Sequence, residues 1–143
     1  MKLLPSSALA GKHMVLVCLL CMFCMNAFSQ AEHFICYKPD AGGKSWISVR
    51  FLNDTAVSVK YRGSKESIPL KYARTVTVAG RSTIETHYDE VYNGGTTGRY
   101  TLTHSGIWDY VVYRRGKDGK IFRFTIDHDS AVKDGAYRKD PCF

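Results

Sequence analysis

The segment Ile107–Asp127 constrains the fold more than any other part of this sequence, because two aromatic-rich stretches flank a turn at Gly116–Gly119. Apolar residues in short alternating runs around Asp-Gly indicate a β-hairpin. A three-residue loop, Lys117–Gly119, places Gly119 where the backbone needs a positive φ. We prefer it to a two-residue Asp118-Gly119 turn, since the apolar pattern normally sets strand register.

This register predicts which face of the hairpin is buried. It pairs Val112 with Phe124 and Tyr110 with Ile126. One face then carries six apolar side chains: Trp108, Tyr110, Val112, Phe122, Phe124 and Ile126. The opposite face is expected to be mostly solvated and to carry Asp109, Arg115, Arg123 and Asp127, with Val111 and Tyr113 as apolar exceptions.

The first 29 residues read as an export signal. Lys2 and Lys12 precede an apolar run from Met14 to Met25, and Ala27-Phe28-Ser29 offers small residues at a cleavage site. The run is short for a membrane span, which needs about 20 apolar residues. Cleavage near residue 29 therefore predicts a secreted or periplasmic product without a transmembrane segment; a retained anchor is the alternative.

The predicted mature chain, residues 30–143, is one domain. Loss of the signal removes two lysines and no acidic residue, so the net charge falls from +7 to +5. Cys36 and Cys142 are its only cysteines and should pair in an oxidising compartment; two free thiols are the alternative. Asn53-Asp54-Thr55 is a glycosylation sequon, which matters only in a eukaryotic secretory pathway.

Short strands separated by turn residues fill the rest of the domain. The predicted strands before the hairpin are His33–Lys38, Trp46–Leu52, Thr55–Tyr61, Thr75–Ala79, Thr83–Tyr92 and Arg99–Thr103. Ile68–Val78 is less regular, and Pro69 there belongs at a strand start or an edge. The only helical expectation is one short turn within Asp129–Ala136. The sequence therefore predicts an all-β fold, a single antiparallel meander of about eight strands. Such a meander forms a small barrel or a sandwich, here closed by one disulfide.

Catalytic and metal-binding motifs are weak. Asp127-His128-Asp129 and His87-Tyr88-Asp89-Glu90 are the densest clusters of potential metal ligands, but adjacent strand residues point to opposite faces. No Gly-x-Ser-x-Gly elbow, zinc spacing or Cys-x-x-Cys occurs in residues 30–143. We therefore expect no catalytic residue, metal or cofactor. A small hydrolase built on His87, His104 or His128 beside a carboxylate is the alternative.

Basic residues that alternate with aromatic ones are the stronger functional signal. Lys60-Tyr61-Arg62, Lys71-Tyr72-Ala73-Arg74, Arg99-Tyr100 and Tyr113-Arg114-Arg115 recur along the chain. Guanidinium groups beside tyrosine rings suit carboxylates, phosphates and sugars. Export favours an anionic glycan, lipid headgroup or acidic protein over nucleic acid. The expected binding surface is the solvent face and loop ends around Thr97, Arg99, Tyr100, Tyr113, Arg114, Arg115 and Arg123.

Several short motifs carry a family resemblance. Phe34-Ile35-Cys36 gives an aromatic-x-Cys start, and Cys142 a second cysteine near the end. Thr97-Gly98-Arg99-Tyr100 is similar to a Ser-Gly-x-x-Tyr loop motif, but it has threonine in place of serine and is one residue shorter. Gly106–Gly116 is an aromatic strand that ends in Arg-Gly. In these features the chain resembles the membrane-bound and periplasmic inhibitors of c-type lysozyme, which are small exported antiparallel barrels.

The resemblance implies a mechanism as well as a fold. In a lysozyme-inhibitor-like protein, Thr97 and Tyr100 together with Arg115 would enter an acidic active-site cleft and hydrogen-bond its carboxylates. The chain departs from the family pattern in three ways. Thr97 replaces the serine of the loop motif, Arg115 replaces the lysine at the end of the aromatic strand, and the spacing within both motifs differs. The expected function is therefore a non-enzymatic binding module for an anionic partner, with lysozyme inhibition as an alternative.

Overall fold

The structure is a computed structural model that describes residues 31–78, 80 and 82–143. The export signal predicted at residues 1–29 lies outside the described residues. Among those described, no helix is long and apolar enough to span a membrane.

Eight antiparallel strands, each paired with the next along the chain, form a closed barrel, because β8 also pairs with β1. The strands are β1 (Glu32–Pro39), β2 (Ile47–Leu52), β3 (Thr55–Tyr61), β4 (Ile68–Thr77), β5 (Thr83–Tyr92), β6 (Gly95–Ser105), β7 (Trp108–Arg115) and β8 (Ile121–Ile126). The predicted all-β meander is confirmed, as a barrel and not a sandwich. The strands predicted at Thr55–Tyr61 and Thr83–Tyr92 match fully, whereas Arg99–Thr103 is the middle of a longer strand.

Alternate residues of the strands fill the barrel interior, as the two-residue period of a strand requires. Fully or almost fully buried apolar side chains come from all strands except β4, and include Ile35, Tyr37, Ile47, Val49, Val59, Tyr88, Tyr100, Val111, Phe124 and Ile126. Two carboxylates, Glu90 and Asp109, are buried with them. The interior is therefore an apolar core with polar groups toward its two ends.

The C-terminal segment packs against the outside of β1. After β8 come a one-turn helix, α1 (His128–Ala131), and two short strands, β9 (Val132–Lys133) and β10 (Ala136–Tyr137). Phe34 forms a β-bridge with Arg138, and the predicted Cys36–Cys142 disulfide is present with the two Cα atoms 5.8 Å apart. This cover explains why four consecutive residues of β1, Phe34–Tyr37, are all buried.

The predicted register of the β7–β8 hairpin is wrong. Val112 pairs with Arg123 and Tyr113 with Phe122, so the loop has four residues, Gly116–Gly119. The Arg115 N–H donates to the Lys120 carbonyl at 2.9 Å, and Gly119 has the expected positive φ of 68°. The Asp118 carboxylate fixes this loop by accepting hydrogen bonds from the Arg115 guanidinium and the Lys120 N–H.

This register reverses the faces of β7. Val111 and Tyr113 point into the barrel, whereas Trp108 and Tyr110 are 45% and 39% exposed. The prediction failed because it grouped Trp108 and Tyr110 with the core residues of β8 and left Tyr113 on the solvated face. Instead, Trp108 lies outside and packs edge-on against His128, with ring centroids 4.9 Å apart. Asp109 and Asp127, predicted on a solvated face, are buried.

The pairing between β3 and β4 is short. It consists of Ser58 with Pro69 and Val59 with Ile68, while β4 follows β5 from Leu70 to Thr77. Pro69 cannot donate a ladder hydrogen bond, which agrees with its predicted place at a strand start. The barrel is therefore least tightly closed between β3 and β4.

We predict that the disulfide supplies a large part of the stability. The bond links positions 106 residues apart, and closing a loop of that length in the unfolded chain is worth about 5 kcal/mol on the chain-entropy model. The double substitution Cys36→Ala/Cys142→Ala should therefore lower the free energy of unfolding by about that amount, measured by urea denaturation. Reduction of the unsubstituted protein should match it; an unchanged urea midpoint in both would contradict the prediction.

Candidate functional site

Basic side chains gather on the outer face of strands β4 to β8. The strand pairing aligns Lys71, Asp89, Arg99 and Arg114 in one row across the sheet. The next row runs from Arg74 through His87, Thr101 and Val112 to Arg123. We call the five cations Lys71, Arg74, Arg99, Arg114 and Arg123 the basic band. Because β4 to β8 are five neighbouring strands of a closed eight-stranded barrel, the band follows half of the barrel circumference, an arc of roughly 19 Å at about 4.8 Å per strand.

The charges of the band are only slightly compensated. Asp89 is the one carboxylate in the two rows; it accepts a hydrogen bond from Arg99 Nε at 2.9 Å. Among the described residues, no other member of the band forms an ion pair, and all five are exposed. The pKa of His87 is lowered, first by partial burial and then by the neighbouring Arg74. The band is therefore a region of positive potential.

Beneath the band, inside the barrel, Glu90 is the centre of a hydroxyl cluster. Its side chain is buried, and Oε1 accepts hydrogen bonds from Thr97 Oγ1 at 2.7 Å and from the Tyr113 hydroxyl at 2.9 Å. Oε2 accepts one from the Tyr100 hydroxyl at 3.1 Å, and the Tyr61 hydroxyl lies 2.9 Å from that of Tyr100. Three donors therefore satisfy a carboxylate that would otherwise be costly to bury.

The same burial fixes the tyrosines as donors. Desolvation raises the pKa of Tyr100 well above its ordinary value, and the neighbouring Tyr61 and Glu90 raise it further. The pKa of Tyr113 is also raised, first by desolvation and then by its hydrogen bond to Glu90. Both phenols thus keep their protons throughout the physiological range, and the cluster has a structural function.

A cup of about 700 Å³ opens above Glu90 at the end of the barrel where β5 turns into β6 and β7 into β8, which we call the hairpin end. Ile68, Tyr92 and Tyr113 form its apolar wall, and Arg115 and Lys117 lie at its rim. The Gly116 N–H donates to the Thr97 carbonyl at 2.8 Å, so the two loops of this end are joined. The guanidinium of Arg115 is held by Asp118.

The seven residues of the predicted binding surface thus lie in three places. Arg99, Arg114 and Arg123 belong to the exposed basic band, and Thr97 and Arg115 lie at the cup. The placement of Tyr100 and Tyr113 on the solvent face is wrong, since they are 0% and 7% exposed. Strand alternation turns each inward beside an outward-facing arginine.

Sequence reasoning missed three residues of this region. Lys71 and Arg74 lie in a noted Lys-Tyr-Ala-Arg segment, but only the register of β4 against β5 brings them beside Arg99. Glu90 shares an alternating face with Tyr88 in the sequence, and that alternation could have identified it as inward-facing. Its hydroxyl partners come from β6 and β7, which local patterns do not bring together.

The histidines considered as catalytic or metal-binding candidates are separated. His87 Nδ1 lies 3.0 Å from the Thr101 hydroxyl, and His128 packs against Trp108. His104 Nδ1 lies 2.6 Å from the Asp109 carboxylate, beside a cavity, which is the arrangement that the hydrolase alternative requires. No serine, threonine or cysteine of the described residues is hydrogen-bonded to that histidine. Within the part of the chain that the structure describes, no three metal-ligating side chains converge.

We predict that the hydroxyl cluster tolerates no methyl group at Gly98. A Cβ there would overlap Tyr113 Cε2, and that ring is stacked on Tyr100 and Phe122. Gly98→Ala should lower the free energy of unfolding by about 1–3 kcal/mol, as overpacking usually does, measured by urea denaturation. Gly95→Ala in the same strand is the matched control, because its nearest contact would be 3.9 Å away. Equal urea midpoints for the two variants would contradict this packing argument.

No protein-family model, curated protein sequence or solved structure matches this chain. Function is therefore inferred from the chemistry of this surface.

Proposed function

We propose that this protein is an exported, non-enzymatic binding module that holds an extended anionic partner on its basic band. The observation that carries the proposal is the alignment of five exposed cations in two adjacent rows with a single carboxylate. Exposed cations that lack ion-pair partners attract anions over about a Debye length, so they favour encounter with a negatively charged partner.

The shape of the band favours a polyanion over a small anion. Its cations follow half of the barrel circumference over an arc of roughly 19 Å, whereas a small-anion site needs donors that converge within hydrogen-bond distance. Arginine forks on β6, β7 and β8 suit sulfate, phosphate and carboxylate groups that repeat along a chain or a membrane surface. The disulfide agrees with an oxidising, extracytoplasmic location, where anionic glycans and lipids are available.

We predict that retention on a sulfated glycan such as heparin depends on the band and on salt. Each cation near an anionic surface contributes about 1 kcal/mol, which corresponds to about fivefold in affinity. Arg114→Ala/Arg123→Ala should therefore weaken binding roughly 25-fold at low ionic strength, measured by isothermal titration calorimetry. Binding by the unsubstituted protein should weaken steeply as sodium chloride is raised.

The matched control removes two cations elsewhere. Lys44→Ala/Lys133→Ala lowers the net charge equally, at exposed positions outside the band. Equal weakening in both double variants would show that net charge alone, and not the band, causes binding. A parallel titration with phosphatidylserine-containing vesicles distinguishes a lipid headgroup from a glycan. Absent or salt-insensitive binding in both arms would reject the proposed function.

Lysozyme inhibition is the second candidate, and one contact favours it. The 2.8 Å hydrogen bond from Gly116 to Thr97 puts Thr97-Gly98 beside Arg115-Gly116, the two segments that carry the family resemblance. Because Tyr100 is fully buried, the contact would rely on Thr97, Arg115 and Lys117 at the cup rim. This protein and a basic lysozyme both carry a net positive charge, which opposes their encounter. The acidic active-site cleft of the lysozyme would therefore have to attract the basic cup rim locally.

We expect, on this second candidate, that micromolar protein slows cell-wall lysis by a c-type lysozyme. Arg115→Ala should lose at least tenfold in potency, since it removes a rim cation and frees Asp118. Lys133→Ala, exposed in the C-terminal segment away from the rim, is the control. Full lysozyme activity at micromolar protein would eliminate this candidate and leave the basic band untouched.

A further inference from the structure

A second cavity lies at the opposite end of the barrel from the cup. It measures about 310 Å³, which is near the lower limit of small-ligand pockets. Ile35, Phe51, Ile84 and Leu102 supply apolar walls, and Asp54, His104, Asp109 and Tyr137 supply polar groups. An eight-stranded barrel has room for one small ligand when side chains do not fill it.

The loose contact between β3 and β4 explains why this space exists. Beyond Ser58 and Pro69 the two strands are no longer paired, so β3 lacks a neighbouring strand near its start. The Ala56 N–H donates instead to the Tyr88 hydroxyl at 3.2 Å. A side chain therefore replaces a strand carbonyl there, and the barrel wall is open beside the cavity.

The polar end of the cavity is built around a buried acceptor. Asp109 is only 6% exposed; Oδ1 lies 2.6 Å from His104 Nδ1, and Oδ2 accepts a hydrogen bond from the Tyr137 hydroxyl at 3.0 Å. Each carboxylate oxygen has a second lone pair. Because Nδ1 of His104 faces Asp109, its other ring nitrogen, Nε2, is left for a ligand.

Tyr37 is the observation that points to a ligand. It is 2% exposed and lines the cavity, yet its hydroxyl has no hydrogen-bond partner among the described residues. Burial, and then the nearby Asp109 and Tyr137, raise the pKa of Tyr37 well above its ordinary value, so the phenol stays protonated. The hydroxyl therefore faces the open space of the cavity, where its oxygen can accept a hydrogen bond from a ligand head group.

We propose that this cavity binds a small primary amine with an aromatic or branched aliphatic body. The ammonium group would lie among Tyr37, Asp109 and His104, and the apolar body would lie against Ile84, Leu102 and Phe51. An ammonium group has three donors and a positive charge, which suits the Asp109 carboxylate, the Tyr37 oxygen and His104 Nε2, and Asp54 adds a second negative charge to the cavity lining. An anionic head group would meet Asp54 and Asp109 unfavourably, and too few ligands converge to hold a metal ion.

The proposal is tested with 2-phenylethylamine on the disulfide-bonded protein. Its neutral analogue 2-phenylethanol and the anion 3-phenylpropanoate have the same ring but a different head group. Methyl chemical shifts of Ile35, Ile84 and Leu102 should move saturably with the amine, with a dissociation constant on the order of 1 mM or lower. The alcohol should bind at least tenfold more weakly, and the anion should not bind.

Two variants test the site without disturbing the rest of the core. Tyr37→Phe removes only the unpaired hydroxyl and should weaken amine binding about fivefold. Ile84→Trp fills the mouth of the cavity from a position that is 43% exposed, and should abolish binding while the protein stays folded. Lys44→Ala, on an exposed loop at the hairpin end, should bind as the unsubstituted protein does.

Three results would overturn the proposal. They are no saturable shift up to about 10 mM amine, equal affinity for the amine and the alcohol, or amine binding that Ile84→Trp and Tyr37→Phe both leave unchanged. None of these results bears on anion binding by the basic band, which lies on the outside of the sheet.

Discussion

The structure depends on how this barrel accommodates the two carboxylates that point into its interior. Glu90 and Asp109 both point inward, toward opposite ends, and each is 6% exposed. An unpaired carboxylate in that setting is expensive, so hydroxyl and imidazole groups must surround each one. Glu90 takes hydrogen bonds from Thr97, Tyr100 and Tyr113, and Asp109 is hydrogen-bonded to His104 and Tyr137.

These requirements also explain the hairpin register. If β7 were shifted by one residue, Asp109 and Tyr113 would turn outward and Trp108 and Val112 would turn in. Glu90 would then lose one of its donors, and the Asp109 contacts at the other end would be lost as well. The observed four-residue loop, fixed by Asp118, holds β7 in the register that satisfies both carboxylates. Polar satisfaction, and not maximal burial of aromatic rings, decides the register of this strand.

The sequence was sufficient for the fold class and for most strand bounds, because those follow from two-residue alternation and turn residues within short windows. Thr55–Tyr61 and Thr83–Tyr92 were found in full for that reason. The candidate sites depend on pairing between strands, which a local pattern does not contain. Arg99 and Arg114 were found as basic residues, but their neighbours Lys71 and Arg74 join them only through the β4–β5 and β5–β6 registers. Tyr100 was misplaced because an aromatic ring beside an arginine looks the same in sequence whether it points inward or outward.

The same alternation makes the inner and outer functions separable. Along β6, Arg99 points outward to the basic band while Tyr100 points inward to Glu90, and along β7 the pair is Arg114 and Tyr113. A substitution of either arginine changes the surface charge and leaves the hydroxyl cluster in place. A substitution of either tyrosine weakens the cluster, but it leaves the cations where the strand pairing puts them. Neighbouring residues in the sequence can therefore be changed independently, so each surface of this barrel can be altered without altering the other.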